Sequence, residues 1–170
     1  LVKKNKFTLG IELEVCYLIK KKFFNLNKKV TKKDLNRLIS RIGPCIEVVG
    51  YRQRKKGIKS FGDLCSDFGG NIKFVLGRLQ KYTKNNVKNL STKISNIKIK
   101  QSVNGNTNTV YSNPMNALLF VLRKLQKEKV YNSKNFYVFT GSTVGVVPIL
   151  GNGTYIGKIE KLGSVKTRIN

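Results

Sequence analysis

Acidic side chains are scarce in this chain of 170 residues: eight Asp and Glu stand against 34 Lys and Arg. Two of the eight, Glu12 and Glu14, are two residues apart on a run whose apolar residues alternate. A third, Glu47, is a lone acid inside Ile46-Glu47-Val48-Val49. Carboxylates on an apolar strand must face solvent or hold a cation. Three carboxylates with no His or Cys among them would make an all-oxygen site for a hard divalent ion such as Mg²⁺ or Mn²⁺. Both readings stand at this point, and for an isolated E-x-E the solvated face is the commoner outcome.

Two further segments have chemistry-bearing residues. Asp67 precedes Gly69-Gly70-Asn71, which reads as local turn chemistry or as a polar loop lining the same cleft. Thr140-Gly141-Ser142-Thr143 directly follows a strand pattern. Its hydroxyls and backbone N–H groups suit a carboxylate, although a plain turn is commoner. Gly151-Asn152-Gly153 has neither dinucleotide-binding nor P-loop spacing and reads as a turn.

Composition excludes much else. There is no histidine, so no mechanism that needs an imidazole is available. Cys16, Cys45 and Cys65 are odd in number and show no C-x-x-C spacing, which points away from a zinc knuckle and towards a reduced, cytoplasmic setting. The longest apolar run, residues 117–122, is too short to cross a bilayer, and no signal peptide is visible.

The net charge of +26 would ordinarily indicate a polyanion partner. Lysines outnumber arginines 27 to 7, and asparagine and isoleucine are also plentiful, as drift towards A/T-rich codons produces. The basic stretches 20–22, 28–33 and 52–56 are interleaved with Phe23, Phe24 and Tyr51, as an RNA surface would be. No RNA-binding signature accompanies them, and a solvated lysine fringe is the favoured reading.

The elements that must position these residues follow from periodicity. Phe7, Leu9, Ile11, Leu13, Val15, Tyr17 and Ile19 alternate, which predicts one strand with that face buried and Glu12, Glu14 and Cys16 on the other. Thr31 with Asp34 predicts a helix start, and Leu35, Leu38, Ile39 and Ile42 carry the helix to a break at Gly43-Pro44. Strands are expected at 45–49 and 71–76, and over Ile94, Ile97 and Ile99. Asn104-Gly105 signals a hairpin turn with 107–111 returning. Asn113-Pro114 starts the longest helix, 115–126, and strands follow at 136–140, 146–149, 155–159 and 165–169. The fold class expected is α+β and β-rich, in a single domain over 1–170.

In order and rough spacing, Gly10-Ile11-Glu12-Leu13-Glu14-Val15, Ile46-Glu47-Val48-Val49-Gly50-Tyr51-Arg52 and Asp67-Phe68-Gly69-Gly70-Asn71 before Phe74-Val75-Leu76-Gly77 resemble the fumarylacetoacetate hydrolase superfamily. Val103-Asn104-Gly105, Asn113-Pro114, Phe139-Thr140-Gly141-Ser142-Thr143 and Leu162-Gly163-Ser164-Val165 agree with it. The likeness is to its 2-keto-4-pentenoate hydratase branch, which also contains 2-oxo-3-hexenedioate decarboxylases. It implies a mixed β-roll with a few packed helices, as in the superfamily's C-terminal domain. It also implies Mg²⁺ or Mn²⁺ on Glu12, Glu14 and Glu47, with water added to a 2-hydroxy-dienoate or 2-keto-enoate. Thr140, Gly141, Ser142 and Thr143 would line the substrate pocket, with Asp67 and Asn71 near it. A homo-oligomer and a role in aromatic-compound catabolism are implied too. Such hydratases carry a further N-terminal helical region and a lysine-bearing strand, which these 170 residues lack, so reduced or lost turnover is expected. The usual Gly-Asp turn near the end corresponds to Gly151-Asn152-Gly153. The alternatives are the decarboxylase, or a non-catalytic basic nucleic-acid-binding protein.

Overall fold

The computed structural model describes residues 1–4, 7–52 and 60–170. Two antiparallel sheets pack face to face. The larger is built on β1 (Thr8–Ile19) and β2 (Ile39–Gly50), flanked by β3 (Asn71–Leu76) and β7 (Phe136–Ser142) in the order β3-β2-β1-β7. Two short strands extend it: β4 (Gln80–Lys81) pairs β2, and β8 (Val147–Pro148) pairs β1. The smaller sheet has the order β10-β9-β5-β6, from β5 (Ser91–Asn96), β6 (Gln101–Asn106), β9 (Gly153–Ile159) and β10 (Gly163–Ile169). Three helices complete it: α1 (Lys32–Leu38), α2 (Phe61–Ser66) and α3 (Pro114–Lys127). The expected α+β, β-rich class is the observed one. Among the described residues no helix is long and apolar enough to cross a membrane.

The core lies between the sheets and under α3. Ile11, Leu13, Val15 and Tyr17 of β1 meet Ile42, Ile46 and Val48 of β2, Tyr155 and Ile159 of β9, and Val165 and Ile169 of β10. Leu118 and Leu122 of α3 join the same cluster. The alternation on β1 thus places its odd-numbered side chains inward from Ile11 to Ile19. Leu9 departs from it: its side chain is exposed, because the register with β2 shifts between Thr8 and Gly10.

Helix α1 starts where Thr31 predicts, with the Asp34 carboxylate accepting from the Thr31 N–H (2.8 Å) and hydroxyl (2.6 Å). It ends at Leu38, not at the Gly43-Pro44 break. Ile39 and Ile42 belong to β2, a twelve-residue strand where only 45–49 is expected. Proline is tolerated there because it falls where the neighbouring ladder is interrupted. Cys45 pairs Leu76 of β3, Ile42 pairs Gln80 of β4, and the Pro44 carbonyl between them takes the Gly77 N–H at 2.9 Å. No ladder donor is needed on that side.

The Asn104-Gly105 hairpin turn and the return strand at 107–111 are not found. Both residues lie within β6, opposite Lys93 and Thr92, and 107–109 is a 3₁₀ turn. Gly105 serves close packing instead: a Cβ there would stand 2.1 Å from the Thr143 carbonyl oxygen. The reversal falls at 97–100, with Lys100 at positive φ (50°) and Ile97 exposed, so β5 stops at Asn96. Within the basic stretch 52–56, residues 53–56 lie outside the described residues.

Gly157 of β9 marks how closely the sheets pack: a Cβ there would meet Leu13 Cδ1 at 2.6 Å and Val165 Cγ1 at 3.2 Å. Gly157→Val is expected to destabilise the fold by about 1–3 kcal/mol through overpacking. Urea unfolding should show this as a lower midpoint at unchanged slope.

Candidate metal centre

The register of β1 against β2 brings the three acids together. Glu12 and Glu14 share a strand face by period two, and Glu12 pairs directly with Glu47. That face turns away from the core. One carboxylate oxygen from each of Glu12, Glu14 and Glu47 lies within 4.8 Å of the others. Glu14 and Glu47 are buried and Glu12 half-buried, so the arrangement is not a solvated strand face.

Neighbouring strands fix the carboxylates with hydrogen bonds. Asn71, at the start of β3, donates from Nδ2 to Glu47 Oε1 at 2.8 Å. The Gly141 N–H donates to Glu14 Oε2 at 3.0 Å. This bond exists because β7 bulges. Ser142 pairs Glu14 and Phe139 pairs Cys16, so Thr140 and Gly141 together oppose Val15. Gly141 takes φ +108°, and its N–H leaves the ladder to point at the acid, as bulges beside functional sites do. The Ser142 hydroxyl lies within reach of both the Glu12 carboxylate and the Gly145 carbonyl, at 2.9 Å from the latter, and its single proton serves one of the two at a time.

Burial pushes Glu12 up to about 7, and repulsion from Glu47 adds to it, against the Ser142 bond. Burial pushes Glu14 up to about 8 in the same way, with the Gly141 N–H opposing and Glu47 and Glu12 adding. Among the described residues no Lys or Arg is a cause of the shifts, in a chain of net charge +26. The trio carries its full negative charge only above these raised values. Its residue types fit a hard divalent ion, since every side-chain donor is oxygen.

The remaining expected residues divide. Thr140 and Thr143 are buried, and their hydroxyls are committed to the Val15 and Leu13 carbonyls of β1 at 3.0 and 2.7 Å. They hold the 140–143 segment against β1, and Gly141 and Ser142 are the members that touch the acids. Asp67 lies outside the carboxylate cluster. It accepts the Arg52 N–H at 2.8 Å and pairs Nη1 at 2.9 Å, and the Arg52 contacts hold its carboxyl below the usual range.

Two residues given no role by the sequence reading border the site. Phe74 pairs Glu47 across β2–β3, and Phe139 pairs Cys16 across β1–β7. Their rings stack at 3.6 Å between centroids, 5° from parallel, so two flanking strands meet over the central pair. Cys16 and Cys45 are fully buried free thiols on this face. The Cys16 hydrogen bond, then burial, raises Cys45. The signal for both rings was their register opposite the E-x-E strand and Glu47, which becomes visible only once strand pairing is known.

No family model matches the sequence, and no curated protein is similar enough to match. Solved structures show the fold. The chain is similar to 4-oxalocrotonate decarboxylase from Pseudomonas putida G7, solved with magnesium and adipate, at 18% identity and TM-score 0.78, covering 96% of this chain and 61% of that one. It is similar to maleylpyruvate hydrolase from Sphingobium sp. SYK-6 at 14% identity and TM-score 0.65, covering 99% and 58%. Fumarylpyruvate hydrolase from Pseudomonas aeruginosa, solved with Mn²⁺ and pyruvate, matches at 12% and 0.65, covering 95% and 66%. The fold is the fumarylacetoacetate hydrolase fold that the sequence motifs implied. The chain spans about six-tenths of the length of the decarboxylase.

The upward shifts have a consequence for stability. A carboxyl whose folded-state pKa lies above its unfolded value costs nothing while protonated. It destabilises the fold progressively as pH rises from the ordinary carboxylate range through the folded value. In metal-free buffer the melting temperature should fall between pH 5.5 and 8.5, and Glu14→Gln should flatten that slope. A slope unchanged in the variant would remove Glu14 as its source.

Proposed function

We propose that the chain is the catalytic-type domain of a divalent-metal-dependent enzyme of the fumarylacetoacetate hydrolase superfamily that acts on small 2-oxo acids. The observation that carries this reading is the trio of buried carboxylates within 4.8 Å, with no described Lys or Arg among the causes of the Glu12 and Glu14 shifts. Glu12, Glu14 and Glu47 would hold Mg²⁺ or Mn²⁺. When bound, such an ion supplies Lewis acidity to the oxygens of a 2-oxo acid. The chain's own residues do the positioning. Asn71 and the Gly141 N–H fix the Glu47 and Glu14 carboxylates, Ser142 steadies Glu12, and the stacked Phe74 and Phe139 exclude water from one side. The finer reading is a hydratase, a carbon–oxygen lyase adding water to a 2-hydroxy-dienoate, with the superfamily's N-terminal helical region outside these residues. A related 2-oxo acid decarboxylase is the second reading, favoured by the similarity to the Pseudomonas putida enzyme.

Calorimetric titration with Mn²⁺ tests the site first. About one ion is expected to bind, and Glu12→Gln/Glu47→Gln should abolish binding while the protein stays folded. Because Glu12 and Glu14 must shed protons, affinity should fall about tenfold or more from pH 8 to pH 6. Asn71→Ala should weaken binding about tenfold by freeing the Glu47 carboxylate. A folded wild-type chain that binds no Mn²⁺ at pH 8 overturns the reading. With Mn²⁺ present, loss of dienoate absorbance from 2-hydroxypenta-2,4-dienoate marks the hydratase, and CO₂ release from 2-oxo-3-hexenedioate marks the decarboxylase.

A further inference from the structure

A second concentration of charge lies elsewhere on the molecule and is of opposite sign. A cleft of about 830 Å³ opens where the turn before β4 faces the β9–β10 hairpin. Its walls present Arg41, Arg78, Lys81, Lys158 and Lys161, all on exposed residues. Glu160, next to Lys161 in the chain, is engaged at both oxygens: one accepts the Ser91 N–H at 3.2 Å, and the other stands 3.6 Å from Lys161 Nζ. Its basic lining lies four residues along from the Glu47 partner Phe74, at Arg78, and six up β2 from Glu47, at Arg41, roughly 13 to 20 Å at strand rise, and it shares no residue with the carboxylate trio.

Codon drift explains lysines more readily than this cleft. The chain has only seven arginines, and two of them converge here. Of the other described arginines, Arg52 pairs Asp67 and Arg37 lies over the Phe23 ring, while Arg123, like Arg41, donates to one backbone carbonyl, that of Val30. The walls are also tied. Gln80 Nε2 donates to the Lys161 carbonyl at 3.1 Å, bridging one wall to the other. Arg41 Nη1 donates to the Leu79 carbonyl at 3.1 Å, leaving its other donors for the cleft. The Gly77 N–H is held by Pro44. Cations on braced backbone lose less freedom on binding than cations on a loose loop.

We propose that this cleft binds a polyphosphate chain, either inorganic or as part of a nucleotide. Five cations, one of them already paired with Glu160, match an anion of several charges, and a forked guanidinium suits phosphate oxygens. The volume is that of a small-ligand site. Among the described residues no aromatic side chain lines it, so they offer no stacking platform of the kind by which single-stranded nucleic acid is held. The proposal does not depend on the metal centre.

The test is titration with tripolyphosphate, ATP and orthophosphate at fixed ionic strength in resin-treated, metal-free buffer, where neither chelator nor divalent ion competes. Saturable binding of about one tripolyphosphate is expected, much tighter than orthophosphate. Arg41→Gln/Arg78→Gln should weaken it about tenfold or more. Lys28→Gln/Lys29→Gln, which removes equal charge elsewhere, should change it less than about twofold. If the first double variant fails to fold, Arg78→Gln/Lys158→Gln keeps the Arg41–Leu79 bond and carries the same comparison. ATP binding tighter than tripolyphosphate identifies a nucleotide as the source, and equal affinity identifies the phosphate chain alone. Absence of saturable binding, or equal weakening by both charge-matched variants, overturns the proposal. So does an oligouridylate that binds more tightly and is not displaced by tripolyphosphate.

Discussion

The cost of keeping three carboxylates together where water is largely excluded governs the arrangement of the larger sheet. Burial raises the energy of the charged forms of Glu12 and Glu14, and Glu47 raises it further. A fold that scattered Glu12, Glu14 and Glu47 would avoid that cost. This one concentrates it on its two central strands, where the antiparallel ladder leaves no freedom to separate them. The flanking strands then meet the acids with neutral donors: the Asn71 amide from β3 and a backbone N–H from the β7 bulge. Neutral donors hold a carboxylate in place without cancelling its charge. An ion pair such as Arg52–Asp67, found a short distance along the chain, would have cancelled it.

Much of this was legible in the sequence, for identifiable reasons. An E-x-E pair in a period-two run can only share a face, and Glu47 had to lie on a strand because its apolar neighbours left it nowhere else to go. What the sequence could not supply was register. Glu12 opposite Glu47 is the fact that makes a site, and a slip of one residue would have placed Glu47 in the core. The Gly141 donor was hidden for the same reason, since a bulge is defined only against its partner strand.

Two of the misread segments share one cause: local signals overridden by tertiary contact. Ile39 and Ile42 fit a helical stripe as well as a strand, and packing against β1 decided for the strand. Asn104-Gly105 has the chemistry of a type I′ turn, yet its glycine is needed because the Thr143 carbonyl presses against it. Helix α2 was passed over although its signal was present. Ser60 and Asp63 form a reciprocal cap, with the Asp63 N–H donating to Ser60 Oγ and the Ser60 N–H to Asp63 Oδ2. Three residues separate them, the spacing that announces a helix start.

Net charge says little about where charge acts. Averaged over the surface, 34 basic residues against eight acidic ones describe an undifferentiated polycation. The fold sorts them. Around the acid trio, the causes that shift Glu12 and Glu14 among the described residues are burial, the neighbouring carboxylates, the Ser142 hydroxyl and the Gly141 N–H, with no Lys or Arg among them. At the β4 turn, by contrast, like charges are crowded, and two of the seven arginines, Arg41 and Arg78, face one cleft. Both arrangements cost stability in the free protein, one through buried negative charge and the other through exposed positive charge in close company. Like-charge crowding of either kind is relieved by a counter-charge from outside the chain. The two proposed sites would therefore take ligands of opposite sign, and the lysine excess elsewhere needs no ligand to explain it.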